Sequence, residues 1–240
     1  MTSVQPIRAA RSPRRGPANR LPPERRIAEI IAAARALLAE RGYENCVISD
    51  IAERAGVVEG TIYRYFENKR DLFVKVAESW FEELLGQQED VVHVSGTEER
   101  LRRTIRRALS IIRHEPALTR FVLMELRPDP DYKNMRLYRL NRAFVSGVME
   151  VLKEAMAKGE IEPSISLSLL RDMIFGAIEH QTWAFLREEG SFSVDETTDG
   201  ITAVIFRGMR PIGTAGAASV DDMDARLERI EAALGRIEAR

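Results

Sequence analysis

The residues best equipped for chemistry in this chain lie together in EGTIYRYFENKRDL, residues 59–72. Thr61, Tyr63, Arg64, Tyr65 and Lys69 crowd hydroxyls, a guanidinium and an ammonium into one short segment. Such a set does not make a nucleophile with its base. It is a set of donors for phosphate oxygens and base edges. An arginine can make a bidentate contact with guanine O6 and N7 that discriminates by roughly 1–3 kcal/mol. Tyr and Thr hydroxyls, and the amides at a helix N-terminus, donate to phosphate oxygens, and Lys69 can clamp another. On a wheel advancing about 100° per residue from Thr61, Ile62 and Phe66 define the core side and Arg64 stands almost opposite. Tyr63 and Tyr65 flank the core on either side, which suits a helix laid into a major groove.

The elements that must position this segment are helical. Ile27, Ile30, Ile31, Ala34, Leu37 and Leu38 repeat at helical spacing from Glu24, and Gly42 closes the run as a C-cap. A second helix, over 49–55, turns Ile51 and Ala52 inward and ends at Gly56. The third covers 59–66. A fourth begins after Asn68, whose side chain can cap it, and runs through Leu72, Phe73, Val76, Trp80 and Leu84. Short helix, three-residue turn, short helix is the helix-turn-helix proportion.

Beyond Gly96 the pattern stays helical and no strand alternation appears. Thr97 is expected to cap a helix that stops before Pro116. Further helices are expected over 117–126, 131–158 (closed by Gly159), 166–188 and 195–209. The fold class is all-α: a small three-helix domain sharing its fourth helix with a larger bundle. The expected organisation is a basic arm at 1–22, a helix-turn-helix domain at 23–83 with its motif at 46–66, and a larger helical-bundle domain at 84–210. A linker at 211–219 and a short heptad helix at 220–240 follow.

Composition narrows the classes. Net charge is −1, but residues 1–72 hold 13 Lys/Arg against 9 Asp/Glu, a basic front end suited to an anionic partner. Residues 1–22 carry five arginines, four prolines and no acid, which reads as a disordered arm that adds phosphate contacts or is simply a solvated tail. The single cysteine, Cys46, excludes an internal disulfide and suits a reducing cytoplasm. His93, His114 and His180 have no metal-ligand spacing, and no cofactor is expected. No apolar run approaches the ~20 residues of a membrane span. Neither a Ser/His/Asp order nor a Gly-rich phosphate loop nor HExxH is present, so an enzyme is not expected. At the C-terminus, Val220, Met223, Leu227, Ile230, Leu234 and Ile237 hold an unbroken heptad register. That fits a self-association segment or a tail helix packed on the body.

The stretch from Arg26 to Phe73 resembles the N-terminal domain of the TetR/AcrR family of bacterial transcriptional regulators. The matching pieces are the run from Ala34 to Glu44, D-I-A at 50–52, A-G-V at 55–57, G-T-I-Y-x-Y-F at 60–66 and K-x-x-L at 69–72. The resemblance implies that Glu59, Gly60, Tyr63 and Arg64 lie near base edges, while Thr61, Tyr65 and Lys69 go to phosphate. Val47 and Val58 depart from the family pattern, which often has Thr at the first and Ser or Ala at the second. Glu59 also departs. It can accept from cytosine N4 or simply favour the positive end of the recognition helix.

The same resemblance implies a dimer of the C-terminal helices, double-stranded palindromic DNA as partner, and a pocket for a small apolar effector. Expected pocket residues are Trp80, Leu84, Leu109, Ile112, Phe121, Met124, Tyr138, Asn141, Phe144, Val145, Phe175 and Glu179. The expected dimer interface comprises Ile174, Ile178 and Trp183 with Ile201, Val204 and Ile205. Residues 140–186 are further similar to the sensing domain of fatty-acid-degradation regulators, which respond to acyl-CoA. Arg102, Arg103, Arg106 and Arg107 could then meet CoA phosphates, or lie solvated on an outer face. The competing function is an architectural protein that binds DNA without sequence preference and assembles through its terminal heptads.

Overall fold

The computed structural model describes residues 22–87 and 96–211. All but the last residue of the arm, the heptad helix and all but the first residue of the expected linker therefore lie outside the described residues. The order is α1 Pro23–Arg41, α2 Ile48–Arg54, α3 Glu59–Ile62, α4 Lys69–Gly86, α5 Thr97–His114, α6 Pro116–Phe121, α7 Arg136–Ala157, α8 Leu167–Leu186 and α9 Val194–Gly208. No strand occurs among the described residues.

Local chemistry explains most boundaries. Pro23 and Pro116 stand in the first turns of α1 and α6, where a missing N–H costs nothing. The Asn68, Ser166 and Ser193 side chains accept from the backbone amides of Asp71, Leu169 and Glu196, capping α4, α8 and α9. After α2 the Val57 amide donates to the Ala52 carbonyl and Gly56 donates to Glu53, with Gly56 at φ 63°. This left-handed stop turns the chain into α3 within three residues and needs a glycine.

Four expectations shift. The third helix ends at Ile62 rather than Phe66, although amides of Tyr65 and Phe66 still donate to the Ile62 carbonyl and continue the turn. Thr97 is the first residue of α5 and is buried, not a capping side chain. The expected helix over 117–126 splits into α6 and a π turn, Val122–Leu126, in which the Arg127 amide reaches back to the Val122 carbonyl. The helix expected from 131 begins as a 3-10 turn, Tyr132–Asn134, before α7 starts at Arg136.

Two buried clusters hold the molecule. One joins Ile30, Leu37, Ile51 and Ile62 of the first three helices, and Phe66 just after them, to Leu72, Phe73 and Trp80 of α4. It also takes in Leu118, Phe121 and Leu126, well beyond the boundary expected at 84. The other joins α5, α7, α8 and α9 through Leu101, Ile105, Leu109, Leu152, Ile174 and Ile205.

Candidate DNA interface and effector cavity

The recognition segment divides as the wheel requires. Ile62 and Phe66 are 0% and 4% exposed, locked against Ile48, Ile51 and Ala52 of α2, whereas Tyr63 is 53% exposed. Val58, Glu59, Gly60 and Arg64 are exposed, and Thr61 and Tyr65 are half-buried. These residues form one ridge with a basic crest. Val47 and Val58 occupy the N-cap positions of α2 and α3 in extended geometry, and neither offers a capping side chain. The Lys69 ammonium stands 4.3 Å above the Tyr43 ring and 3.4 Å from the Glu44 carbonyl oxygen, which fixes it beside the ridge.

Two ion pairs tie α2 back to α1. Arg41 pairs with Asp50, and Arg54 with Glu40 at 2.7 Å. The Arg54 guanidinium holds the Glu40 carboxyl below its ordinary value. Both pairs are surface contacts, so they fix orientation more than they add stability.

In the body, Trp80, Leu84, Ile112, Val122, Phe144 and Phe175 wall an apolar cavity of about 100 Å³. Arg127, Asn141 and Glu179 supply its polar edge. The same Arg127, Asn141, Phe175 and Glu179 also line a second, polar groove of about 480 Å³, together with Tyr138, Arg142, Val145, Lys153 and Arg171. Cavity and groove thus share one wall. In the groove Arg127 pairs with Glu179 and Arg171 with Asp172, whereas Arg142 and Lys153 have no acidic partner among the described residues. Tyr132 donates no apolar wall to either space; its hydroxyl, 3.4 Å from the Asn141 amide, is buried and therefore titrates above its ordinary value.

Of the residues expected at the pocket, Trp80, Leu84, Ile112, Asn141, Phe144, Phe175 and Glu179 stand on the cavity wall, and Tyr138 and Val145 on the groove. Leu109 is fully buried in the second core cluster, and Phe121 lies in the first against Tyr43 and Phe73. Met124 is half-buried and lines neither space. Sequence reasoning missed the basic pair Arg142 and Lys153. Their signal was present as two cations on one face of α7.

The arginines of α5 have other partners. Arg102 and Arg106 reach Asp199 and Asp195 of α9, Arg103 reaches Glu99, and Arg107 donates to the Leu84 carbonyl while lying 5.4 Å over Phe144.

On the face of α8 and α9, Ile174, Ile178, Ile201 and Ile205 turn into the protomer's own core, and Trp183 is half-buried. Val204, 70% exposed, stands outward with Leu169 and Met173. A shallow groove between the two helices runs beside it, lined by Ala177, Gln181, Gly200 and Val204. No described helix is long and apolar enough to cross a membrane.

Comparison with known proteins accounts for both halves. Residues 30–76 match the family model of bacterial regulatory proteins of the tetR family, and residues 95–209 match a tetracyclin repressor-like C-terminal domain. The fatty acid metabolism regulator protein of Bacillus subtilis is 27% identical over 186 residues, spanning 75% of this chain and 94% of its own. The transcriptional repressor KstR2 of Mycolicibacterium smegmatis is 22% identical over 196 residues, 78% of this chain and 92% of its own. The crystal structure of the regulator FadR from Bacillus subtilis, in complex with stearoyl-CoA, superposes with a TM-score of 0.66 at 25% identity, covering 76% of this chain and 99% of that one. None of these relatives supports an architectural protein without sequence preference. The paired matches, with the exposed ridge of α3 in front and the cavity behind, make this chain a ligand-responsive, DNA-binding transcriptional regulator of the tetR family.

Proposed function

We propose that the protein is a dimeric repressor, released from a palindromic operator by a long-chain acyl-CoA. The observation that carries this reading is the shared wall: an apolar cavity meeting a polar groove across Arg127, Asn141, Phe175 and Glu179. A ligand suited to both is apolar at one end and anionic at the other. An acyl chain takes the cavity, while Arg142 and Lys153 face the phosphates of the head.

The cavity's 100 Å³ is well under the about 300–1,000 Å³ of common ligand sites. A long chain therefore enters only by parting Trp80 and Leu84 of α4 from Phe144 of α7 and Phe175 of α8. That separation moves α4, which starts at Lys69 beside the recognition ridge. Ligand and operator thus favour different spacings of the two recognition helices in a twofold dimer, which fits half-sites about one DNA turn (~34 Å) apart. Turning 99:1 occupancy into 1:99 needs about a 10⁴-fold preference of the ligand for the non-binding form.

Isothermal titration of the full-length protein with stearoyl-CoA, stearate and free CoA tests the ligand. Stearoyl-CoA should bind once per protomer. CoA should bind at least about a hundredfold more weakly, because each buried methylene is worth ~0.8 kcal/mol. Arg142→Glu should weaken stearoyl-CoA while leaving stearate unchanged. Equal binding of CoA and stearoyl-CoA, or none of either, removes the assignment.

A further inference from the structure

Residues 116–129 belong to both halves of the molecule. Thr119, Val122 and Leu123 face the effector cavity. Leu118, Phe121 and Leu126 are buried in the cluster that contains the recognition helix. Between the two faces the backbone leaves α geometry for the π turn Val122–Leu126, a rare conformation that recurs at functional sites. The three residues after it carry one ion pair at each end. Arg127 pairs with Glu179 of α8 where cavity and groove meet. Asp129 pairs with Arg70 of α4, which also donates to the Glu125 carbonyl at 3.3 Å. Pro128 joins them and keeps the connection short and stiff.

We infer that Arg127–Pro128–Asp129 is a two-ended lever that couples cavity occupancy to the recognition helix, with Arg70 as its positioning residue on the DNA side. Arg70 follows Lys69, the residue fixed beside the DNA-facing ridge, and sits in the first turn of α4. A ligand head that draws Arg127 away from Glu179 pulls on Asp129, and so on Arg70 and the start of α4. Operator binding sets Arg70 and, by reciprocity, biases Arg127. Both ion pairs are partly exposed, with side chains 24–39% accessible, so they are weak enough to exchange between two arrangements rather than serve as fixed struts. The lever deepens the proposed regulation and rests on it for the identity of the ligand, but the link between Arg70 and residues 116–126 stands on geometry alone.

The test is hydrogen exchange by mass spectrometry on the full-length dimer, with and without a duplex enriched from a random pool by the wild-type protein. In wild type, bound DNA should slow exchange in residues 59–69 and also, by about tenfold, in residues 116–126. In Arg70→Met and in Asp129→Asn the slowing at 59–69 should persist, while that at 116–126 should vanish. Arg70→Lys should restore part of it. Thermal midpoints of the variants confirm that they are folded, and Asp129→Asn keeps the site's shape should Arg70→Met lose stability. Equal slowing at 116–126 in wild type and both variants overturns the lever, as does its absence in wild type. Because no acyl-CoA enters this experiment, failure of stearoyl-CoA as ligand is read separately. If stearoyl-CoA does release DNA, Arg70→Met should bind it with unchanged Kd yet lose operator affinity less than about threefold, against at least about tenfold in wild type.

Discussion

The rings of Tyr43 and Phe121 lie 4.6 Å apart, centroid to centroid, tilted by 42°. Tyr43 follows α1 in the DNA-binding half, and Phe121 ends α6 in the body. Phe73 of α4 completes the cluster at 5.3 Å from Tyr43 and 5.8 Å from Phe121. An aromatic plug shared by α4, α6 and the turn after α1 means that the DNA-binding half has no closed core of its own. Its packing is finished by the segment that also lines the cavity, so a change in cavity shape meets a rigid body rather than a loose tether.

Phe66 and Tyr63 separate folding from recognition. Phe66→Ala empties a core position and should cost about 3–5 kcal/mol, read as a lowered midpoint in urea. Tyr63→Ala removes an exposed ring and should leave that midpoint nearly unchanged while abolishing operator binding in a gel shift. If Tyr63→Ala unfolds the protein as badly, the division between core and ridge fails.

Much of this site was legible in the sequence because a helix with one buried face has a fixed period. Ile62 and Phe66 inward, Arg64 outward and the two tyrosines on the flanks follow from 3.6 residues per turn. α8 was not legible in this way. It is apolar nearly all round, so periodicity could not say whether Ile174 and Ile178 or Leu169 and Met173 turn toward a second copy. The lever was invisible for another reason: Arg70 and Asp129 are brought together only by the tertiary fold, and no local pattern announces such a pair. The π turn has no residue signature either, since Val, Leu and Met also serve an α-helix.

Val204 probes the face between copies. Val204→Asp places a charge where an apolar side chain is 70% exposed, so the isolated protomer should keep its thermal midpoint. Light scattering should show monomers, and operator affinity should fall by at least about tenfold as the second half-site contact is lost. A dimer of unchanged mass would move the interface elsewhere.

Three helices end in the same hydrogen-bonded stop, with glycine in the left-handed position after α2 and α7 but Glu188 after α8, at φ 62°. A side chain there costs about 1–2 kcal/mol relative to a relaxed residue. Glu188→Gly should therefore stabilise the protein by roughly 1 kcal/mol in urea denaturation, with operator affinity unaltered. Destabilisation would mean that the Glu188 side chain holds the loop.

Cys46 gives a pH signature. It is 1% exposed, with its sulfur 3.2 Å from the Gly42 carbonyl, and burial pushes its thiol above the ordinary value. The unfolded chain then loses this proton first. The thiol's contribution to stability is complete below the unfolded value, near about 8.5, and is lost as pH rises through the higher folded value. At pH 8 a disulfide reagent should modify Cys46 only as fast as the protein opens, and urea should accelerate the reaction in step with unfolding. Rapid modification of the folded protein would contradict its burial.

The most direct measurement is fluorescence anisotropy of a selected operator duplex bound by the full-length protein, titrated with stearoyl-CoA and, separately, with free CoA. The account predicts that stearoyl-CoA weakens operator binding by at least about tenfold and that CoA alone leaves it intact. Operator affinity unchanged at saturating stearoyl-CoA would contradict it.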